Sequence, residues 1–128
     1  MELADKINFW KNGAEEDFNF AKKLFDGKDY FWCLFIVQLS LEKVLKARVI
    51  EKTQKEAPKI HDLVRLAQIA EIPVTKEQED ELEIITGFNV EARYTDYKEG
   101  LKKIATVDYV KNYLIIAEEY LQWFLKKN

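Results

Sequence analysis

Glycine, proline, histidine and cysteine are all scarce in this chain of 128 residues. Glycine and proline together occupy only six positions, against roughly 12% of residues in average proteins. Because tight turns depend on these two residues, an all-β fold with many turns is disfavoured. One His and one Cys cannot form a disulfide or a clustered zinc or iron–sulfur site. We therefore expect an α-helical protein with no metal and no cofactor.

Long apolar runs are also missing. The most nearly uncharged stretch, residues 30–41, contains Gln38 and Ser40 and is shorter than the roughly 20 apolar residues that a membrane span needs. The N-terminus lacks the basic start and apolar centre of a signal peptide. With 48% hydrophobic and 34% charged residues, the composition is that of a folded domain. We predict a cytoplasmic protein of one domain, residues 1–128, that does not cross a membrane.

Charge is unevenly distributed, although the net charge of −3 gives no general attraction to nucleic acid. Residues 43–59 carry six basic and two acidic side chains, whereas residues 76–91 carry six acidic side chains and one lysine. These are either two solvated helix faces, or surfaces that meet within the fold, across a homodimer or on a partner.

Apolar residues that recur at three- and four-residue steps predict an all-α fold. The expected architecture is an up-and-down bundle of four main helices plus one short helix. The four main helices are predicted at 3–25, at 30–51, from Thr75 to 91–94 and after Thr106, and the short one at 62–70.

The ends of these helices also carry signals. Gly27 suits the left-handed position that ends a helix, and Thr75 with Gln78 forms a capping box. Residues 94–105 show no clear period and contain Gly100, so we expect a connecting loop there with about one helical turn. Residues 30–37 are apolar on all sides, which indicates a helix that is buried on most sides or covered by a second copy.

Polar residues interrupt the apolar faces of the first two helices. Asp17 lies on the inner stripe of the first helix and requires a basic partner. It belongs either to a structural salt bridge or to a polar pocket between the first two helices and the loop after the fourth. The candidate partners are Lys43, Lys46 and Arg93.

The second helix carries four polar residues over about two turns, namely Gln38, Glu42, Lys43 and Lys46. Such a line can border a groove and contact phosphate or ribose. Ordinary surface pairing of Glu42 with Lys46 explains part of the same pattern.

The end of the fourth helix has the most unusual composition. Arg93 stands beside Tyr94, Asp96 and Tyr97, and an arginine with tyrosines can hold a phosphate and stack a base. Alternatively, the tyrosines hold the loop to the bundle while Arg93 pairs with an acid. The single histidine, His61, is either a general base or phosphate contact, or a structural residue at the start of the third helix.

Several of these features occur together in a known family. The order Trp10…Ala14-Glu15-Glu16-Asp17, Gln38…Glu42-Lys43-x-x-Lys46-Ala47, His61-Asp62-Leu63 and Ala92-Arg93-Tyr94 resembles the HEPN domain, the higher eukaryotes and prokaryotes nucleotide-binding domain. The resemblance spans nearly the whole chain. It implies a helical bundle that dimerises and that is often encoded beside a minimal nucleotidyltransferase, as in a toxin–antitoxin-like module.

The same resemblance implies a metal-independent ribonuclease site in which an Arg is followed, after four to six residues, by a His. Arg93 matches the Arg, but the permitted positions hold Lys98, Glu99 and Gly100. The leading hypothesis is therefore a protein that binds a nucleotide, a nucleic-acid end or a nucleotidyltransferase. It uses Arg93, Tyr94, Lys43 and Lys46, supported by Asp17, Gln38, Glu42 and Asp96.

Two alternatives remain at this stage. The first is a ribonuclease toxin in which Arg93 acts with Tyr97, Lys98 or His61 in place of the absent histidine. The second is a pure interaction module that dimerises through residues 30–37 and presents its acidic fourth helix to a basic partner.

Overall fold

A computed structural model describes residues 2–126, apart from the side chains at positions 90–93, 95 and 96. All regular structure in this part of the chain is helical, which confirms the all-α prediction. The helices are α1 (Leu3–Asp26), α2 (Tyr30–Thr53), α3 (Leu63–Ile69), α4 (Lys76–Arg93), α5 (Thr95–Ile104) and α6 (Val107–Leu125).

The four long helices form the predicted up-and-down bundle. Asp17 pairs with Lys43 and Lys11 pairs with Glu51, so α1 and α2 run antiparallel. The contacts Glu81–Tyr120 and Phe88–Tyr113 likewise set α4 antiparallel to α6. The two short helices, α3 and α5, lie in the connections before and after α4.

Helix α2 lies at the centre of the bundle and contacts all five other helices. This position explains the apolar character of its first half, because Phe31, Cys33 and Leu34 are buried by other parts of the same chain. Trp32 stays exposed and Phe35 is only partly buried. The protein's own helices therefore cover most, but not all, of this segment.

The end of α1 differs from the prediction by one residue. Gly27 has φ −81°, and Lys28 takes the left-handed conformation with φ 64°. The Asp29 N–H donates to the Leu24 carbonyl and the Lys28 N–H donates to the Phe25 carbonyl. This is the Schellman pattern, which places the left-handed residue one position after the cap.

The connection after α4 is a helix rather than the expected loop, so the bundle has two short helices and not one. Helix α5 contains Gly100 in its interior. Its inner side is fixed by Leu101, which is 1% exposed, and by Lys98 and Lys102, whose ammonium groups lie over the Phe31 ring. Among the described side chains of α5, Leu101 is the one that is buried, and it follows a glycine. The apolar period is therefore weak, and this is why the sequence pattern missed the helix.

The other predicted boundaries agree with the structure within about two residues. Thr75 and Gln78 form the capping box at the start of α4, and Thr106 caps α6. Among the described residues, none of the helices combines the length and the apolar character that a membrane crossing requires.

Candidate functional site

A buried polar network joins α2, α4 and the segment before α3. Gln38 is fully buried at its centre. Its Oε1 accepts a hydrogen bond from Asn89 Nδ2 at 2.7 Å, and its Nε2 donates to the His61 carbonyl at 3.0 Å and to Glu42 Oε1 at 3.1 Å. Since buried polar groups are costly when unpaired, this amide fixes the relative positions of the three elements.

The Glu42 carboxylate is the second centre of the network. Lys46 Nζ donates to Oε2 at 2.8 Å, and His61 Nδ1 lies 2.9 Å from Oε1. Burial alone would raise the pKa of Glu42, but the hydrogen bonds from Lys46, His61 and Gln38 outweigh it and hold that pKa below its ordinary value. The carboxylate is therefore charged at neutral pH and provides the counter-charge for the buried Lys46.

His61 is oriented by this carboxylate. It lies immediately before Asp62, the N-cap residue of α3, as the structural interpretation expected, but its partner is Glu42 on α2. A neutral imidazole that donates from Nδ1 presents Nε2 as an acceptor, and about half of the His61 side chain is exposed. His61 is thus held at the surface in one orientation, which the general-base interpretation also requires.

Of the candidate partners whose side chains are described, Lys43 pairs with Asp17, while Lys46 pairs with Glu42. The distance from Lys43 Nζ to Asp17 Oδ2 is 2.8 Å, and both side chains are partly exposed. A Cβ at Gly13 would lie 3.3 Å from Lys43 Cδ, so the glycine leaves room for the lysine stem to cross α1. This ion pair links α1 to α2.

A second polar and aromatic group lies where α4 meets α5; we call Trp32, Tyr94, Tyr97 and Lys98 the aromatic junction. Tyr94 is 58% exposed and Tyr97 is 62% exposed, with their ring centroids 6.5 Å apart. Lys98 Nζ lies 5.0 Å from the ring centroid of Trp32. The predicted contributions of Arg93 and Asp96 lie outside the described side chains.

The predicted site residues therefore form two groups. Trp32 marks the aromatic junction at the start of α2, and Lys46 follows 14 residues later in the same helix, which corresponds to roughly 20 Å at 1.5 Å per residue. Gln38, Glu42 and Lys46 are brought together, and the Asp17–Lys43 pair lies beside them on the α1 side. The structure does not bring this set together with Tyr94.

The network offers no metal centre, because the described residues contain no group of three or more His, Cys, Asp or Glu side chains that could hold an ion. Cys33 is completely buried and cannot act with His61 as a nucleophile–base pair. Burial raises the pKa of the Cys33 thiol to about 12, so it stays protonated.

Sequence reasoning missed one member of the network and one of its contacts. The missed member is Asn89, which donates to Gln38 from a fully buried position on α4. The signal available in the sequence was that Asn89 places an amide on the otherwise apolar stripe of α4. The pairing of His61 with Glu42 crosses 19 positions, and no local spacing rule predicts it.

The sequence that forms this bundle is matched by a family model. The model for the HEPN domain matches residues 7–128, and the chain therefore belongs to the HEPN domain family. The crystal structure of TT1696 from Thermus thermophilus is similar, with a TM-score of 0.76 over 94% of this chain and 96% of that chain. Its sequence is 18% identical, so the likeness concerns the fold. A comparison with curated proteins gave no match.

Proposed function

We propose that this protein binds a nucleotide or a nucleic-acid end at the aromatic junction, with single-stranded RNA as the principal ligand. Membership of the HEPN family supports a function related to nucleotides or RNA in general. The observation that carries the proposal is the pair of tyrosines, Tyr94 and Tyr97, which are both more than half exposed and whose ring centroids lie 6.5 Å apart.

Aromatic rings in this position suit unpaired bases. A water-exposed tyrosine ring contributes little to the stability of the fold. A base that stacks on such a ring contributes about 1–3 kcal/mol to binding, whichever base it is. The two ring planes are nearly perpendicular, at 86°, so a single base stacks on one ring while the other contacts its edge. This geometry favours a splayed single strand over a duplex.

Basic groups on the same helix, α5, supply the attraction to phosphate. Lys98 and Lys102 approach the start of α2 from α5, and Arg93 directly precedes Tyr94 in the sequence. An arginine contacts phosphate through two parallel hydrogen bonds, whereas a lysine acts as a point charge. We propose that Arg93 positions the phosphate and that Tyr94 stacks the neighbouring base.

The first test is a titration with an end-labelled short single-stranded RNA, followed by fluorescence anisotropy, with ATP as a competitor. We expect Arg93→Ala, Tyr94→Ala and Tyr97→Ala each to weaken binding about tenfold or more, in line with the loss of one stacked base or one phosphate contact. Affinity should also fall as salt is raised.

The matched control is Phe20→Ala, which removes an exposed aromatic ring from α1. This variant should bind RNA as the unmodified protein does. Absence of binding by the unmodified protein, or equal weakening by Phe20→Ala and Tyr94→Ala, would contradict the proposal.

The partly exposed apolar side chains at the start of α2 support a homodimer, in which Trp32, Phe35 and Ile36 contact a second copy while Tyr94 and Tyr97 stay open to RNA. We expect Trp32→Glu to convert the dimer to a monomer in light scattering, because a carboxylate would be buried in an apolar contact. Phe20→Glu adds the same charge at another exposed ring and should leave the dimer intact. A monomeric unmodified protein would refute this part.

We also propose a protein partner, which is supported by the resemblance of the motifs alone. A minimal nucleotidyltransferase would act with this protein in the cytoplasm as a toxin–antitoxin-like module. Co-expression with the product of the adjacent gene, followed by co-purification, tests this directly.

A further inference from the structure

A groove at the other end of the molecule lies outside the proposed nucleic-acid site. It is formed by the first turns of α1, the second half of α2 and the segment between α2 and α3, and its volume is about 360 Å³. Small-molecule sites in proteins commonly occupy 300–1,000 Å³. We call it the amino-terminal groove; the residues used below are Lys6, Phe9, Trp10, Lys46, Glu56 and Lys59.

One wall of the groove is aromatic. Phe9 is 61% exposed, and its ring meets Trp10 edge to face with a centroid distance of 5.6 Å. Pro58 adds apolar surface from the segment between α2 and α3. A flat ring in the groove would cover the exposed Phe9, and apolar burial of this kind contributes about 25 cal/mol per Å².

The charges in the groove favour an anion. Its lining contains three lysines, Lys6, Lys46 and Lys59, and one carboxylate, Glu56. Glu56 forms an ion pair with Lys6, and Glu42 balances Lys46 from behind. The lining still carries a positive excess at Lys59, which is exposed.

Among the lysines that line the groove, Lys46 has the ammonium group that is held in place. Its side chain is only 9% exposed, and Nζ is held both by Glu42 Oε2 at 2.8 Å and over the Trp10 ring at 5.4 Å. An ammonium group has three N–H donors, and one hydrogen bond from Nζ is found among the described residues. A donor thus remains for a ligand in the groove.

We propose that the amino-terminal groove binds a small aromatic anion, a flat ring system that carries one carboxylate or phosphate group. The ring contacts Phe9 and Trp10, and the anionic group accepts hydrogen bonds from Lys46 and Lys59. The exposed ion pair between Lys6 and Glu56 ties the α2–α3 segment to α1 across the groove.

The test uses 1-naphthoate and 1-naphthyl phosphate as probes, with neutral 1-naphthamide as the comparison, in calorimetric titrations of the whole protein. Binding of the carboxylate, the phosphate or both supports the site and identifies the anionic group. We expect the amide to bind at least tenfold more weakly. No binding of either anion, or equal binding of the amide, would overturn the proposal.

Two variants locate the binding, and both change exposed residues, so folding is not at risk. Phe9→Ala and Lys59→Met should each weaken binding of the anion at least tenfold, while Phe20→Ala and Lys55→Met, which are exposed and do not line the groove, should not. Unchanged affinity in both Phe9→Ala and Lys59→Met would refute the site. Arg93 and Tyr94 have no part in this test, so its outcome is independent of the RNA titration.

Discussion

Replacement of Glu42 by glutamine is expected to lower the free energy of unfolding by about 3 kcal/mol, since removal of one partner leaves the other charge buried and unpaired. The substitution keeps the size of the side chain but removes the counter-charge from Lys46, whose side chain is 9% exposed. The amide also cannot serve as the charged acceptor for His61. Denaturant unfolding at pH 7, followed by circular dichroism, measures the loss.

The matched control for Glu42→Gln is Asp80→Asn in α4. Asp80 pairs with Lys76 at the same i, i+4 spacing, at 3.1 Å, but both side chains are more than half exposed. Exposed pairs contribute little, so this variant should unfold at the same denaturant concentration as the unmodified protein. A Glu42→Gln protein as stable as the Asp80→Asn protein would contradict the role given to the buried carboxylate.

The free energy of unfolding that Glu42 contributes should rise with pH. Because the pKa of Glu42 is lowered in the folded protein, the unfolded chain binds the proton more tightly, and stability rises with pH across this titration. The contribution of Glu42 is fully present above the ordinary pKa of about 4.3 and is lost as pH falls through the lower folded value. The difference in stability between Glu42→Gln and the unmodified protein should therefore shrink below about pH 4.

Replacement of Gln38 by leucine is expected to cost a similar amount, about 3 kcal/mol, because several buried polar groups lose a partner and each such loss costs about 1–3 kcal/mol. Leucine nearly fills the same volume, so the effect reports hydrogen bonding more than packing. The Asn89 amide would lose its 2.7 Å acceptor, and the His61 carbonyl and the Glu42 carboxylate would each lose a donor. Denaturant unfolding measures the change.

Gln122→Leu provides the control for Gln38→Leu, because Gln122 is exposed on α6. It makes the same chemical change without breaking the network and should leave stability unchanged. A double-mutant cycle of Gln38→Leu with Asn89→Leu should show coupling of about 1 kcal/mol. Strict additivity of the two substitutions would argue against a direct contribution of the Gln38–Asn89 hydrogen bond.

Much of the fold follows from local patterns. Apolar periods predict α1, α4, α6 and the second half of α2, and the capping residues Thr75 and Thr106 mark where two of these helices begin. Helix α5 was missed because Leu101 is the only buried residue among its described side chains and because it contains Gly100. The left-handed residue after α1 was placed at Gly27, but it is Lys28. Glycine adopts this conformation most easily, yet the position is decided by the residue at which the helical hydrogen bonds end.

The site could be predicted only in part, because its contacts are long-range. The polar line Gln38, Glu42 and Lys46 is visible as i, i+4 spacing on one helix and is a real cluster in the structure. Its links to His61 and Asn89 depend on how α3 and α4 pack against α2. The same packing separates Lys46 from the aromatic junction, which sequence order alone does not reveal.

The most direct measurement of the central claim is a photo-crosslink of a 4-thiouridine-containing single-stranded RNA to the unmodified protein, mapped by mass spectrometry. Binding at the aromatic junction predicts adducts on the segment that contains Tyr94, Tyr97 and Lys98, and their loss in Arg93→Ala. Adducts confined to Phe9 and Trp10 of the amino-terminal groove, or a pattern unchanged by Arg93→Ala, would contradict it.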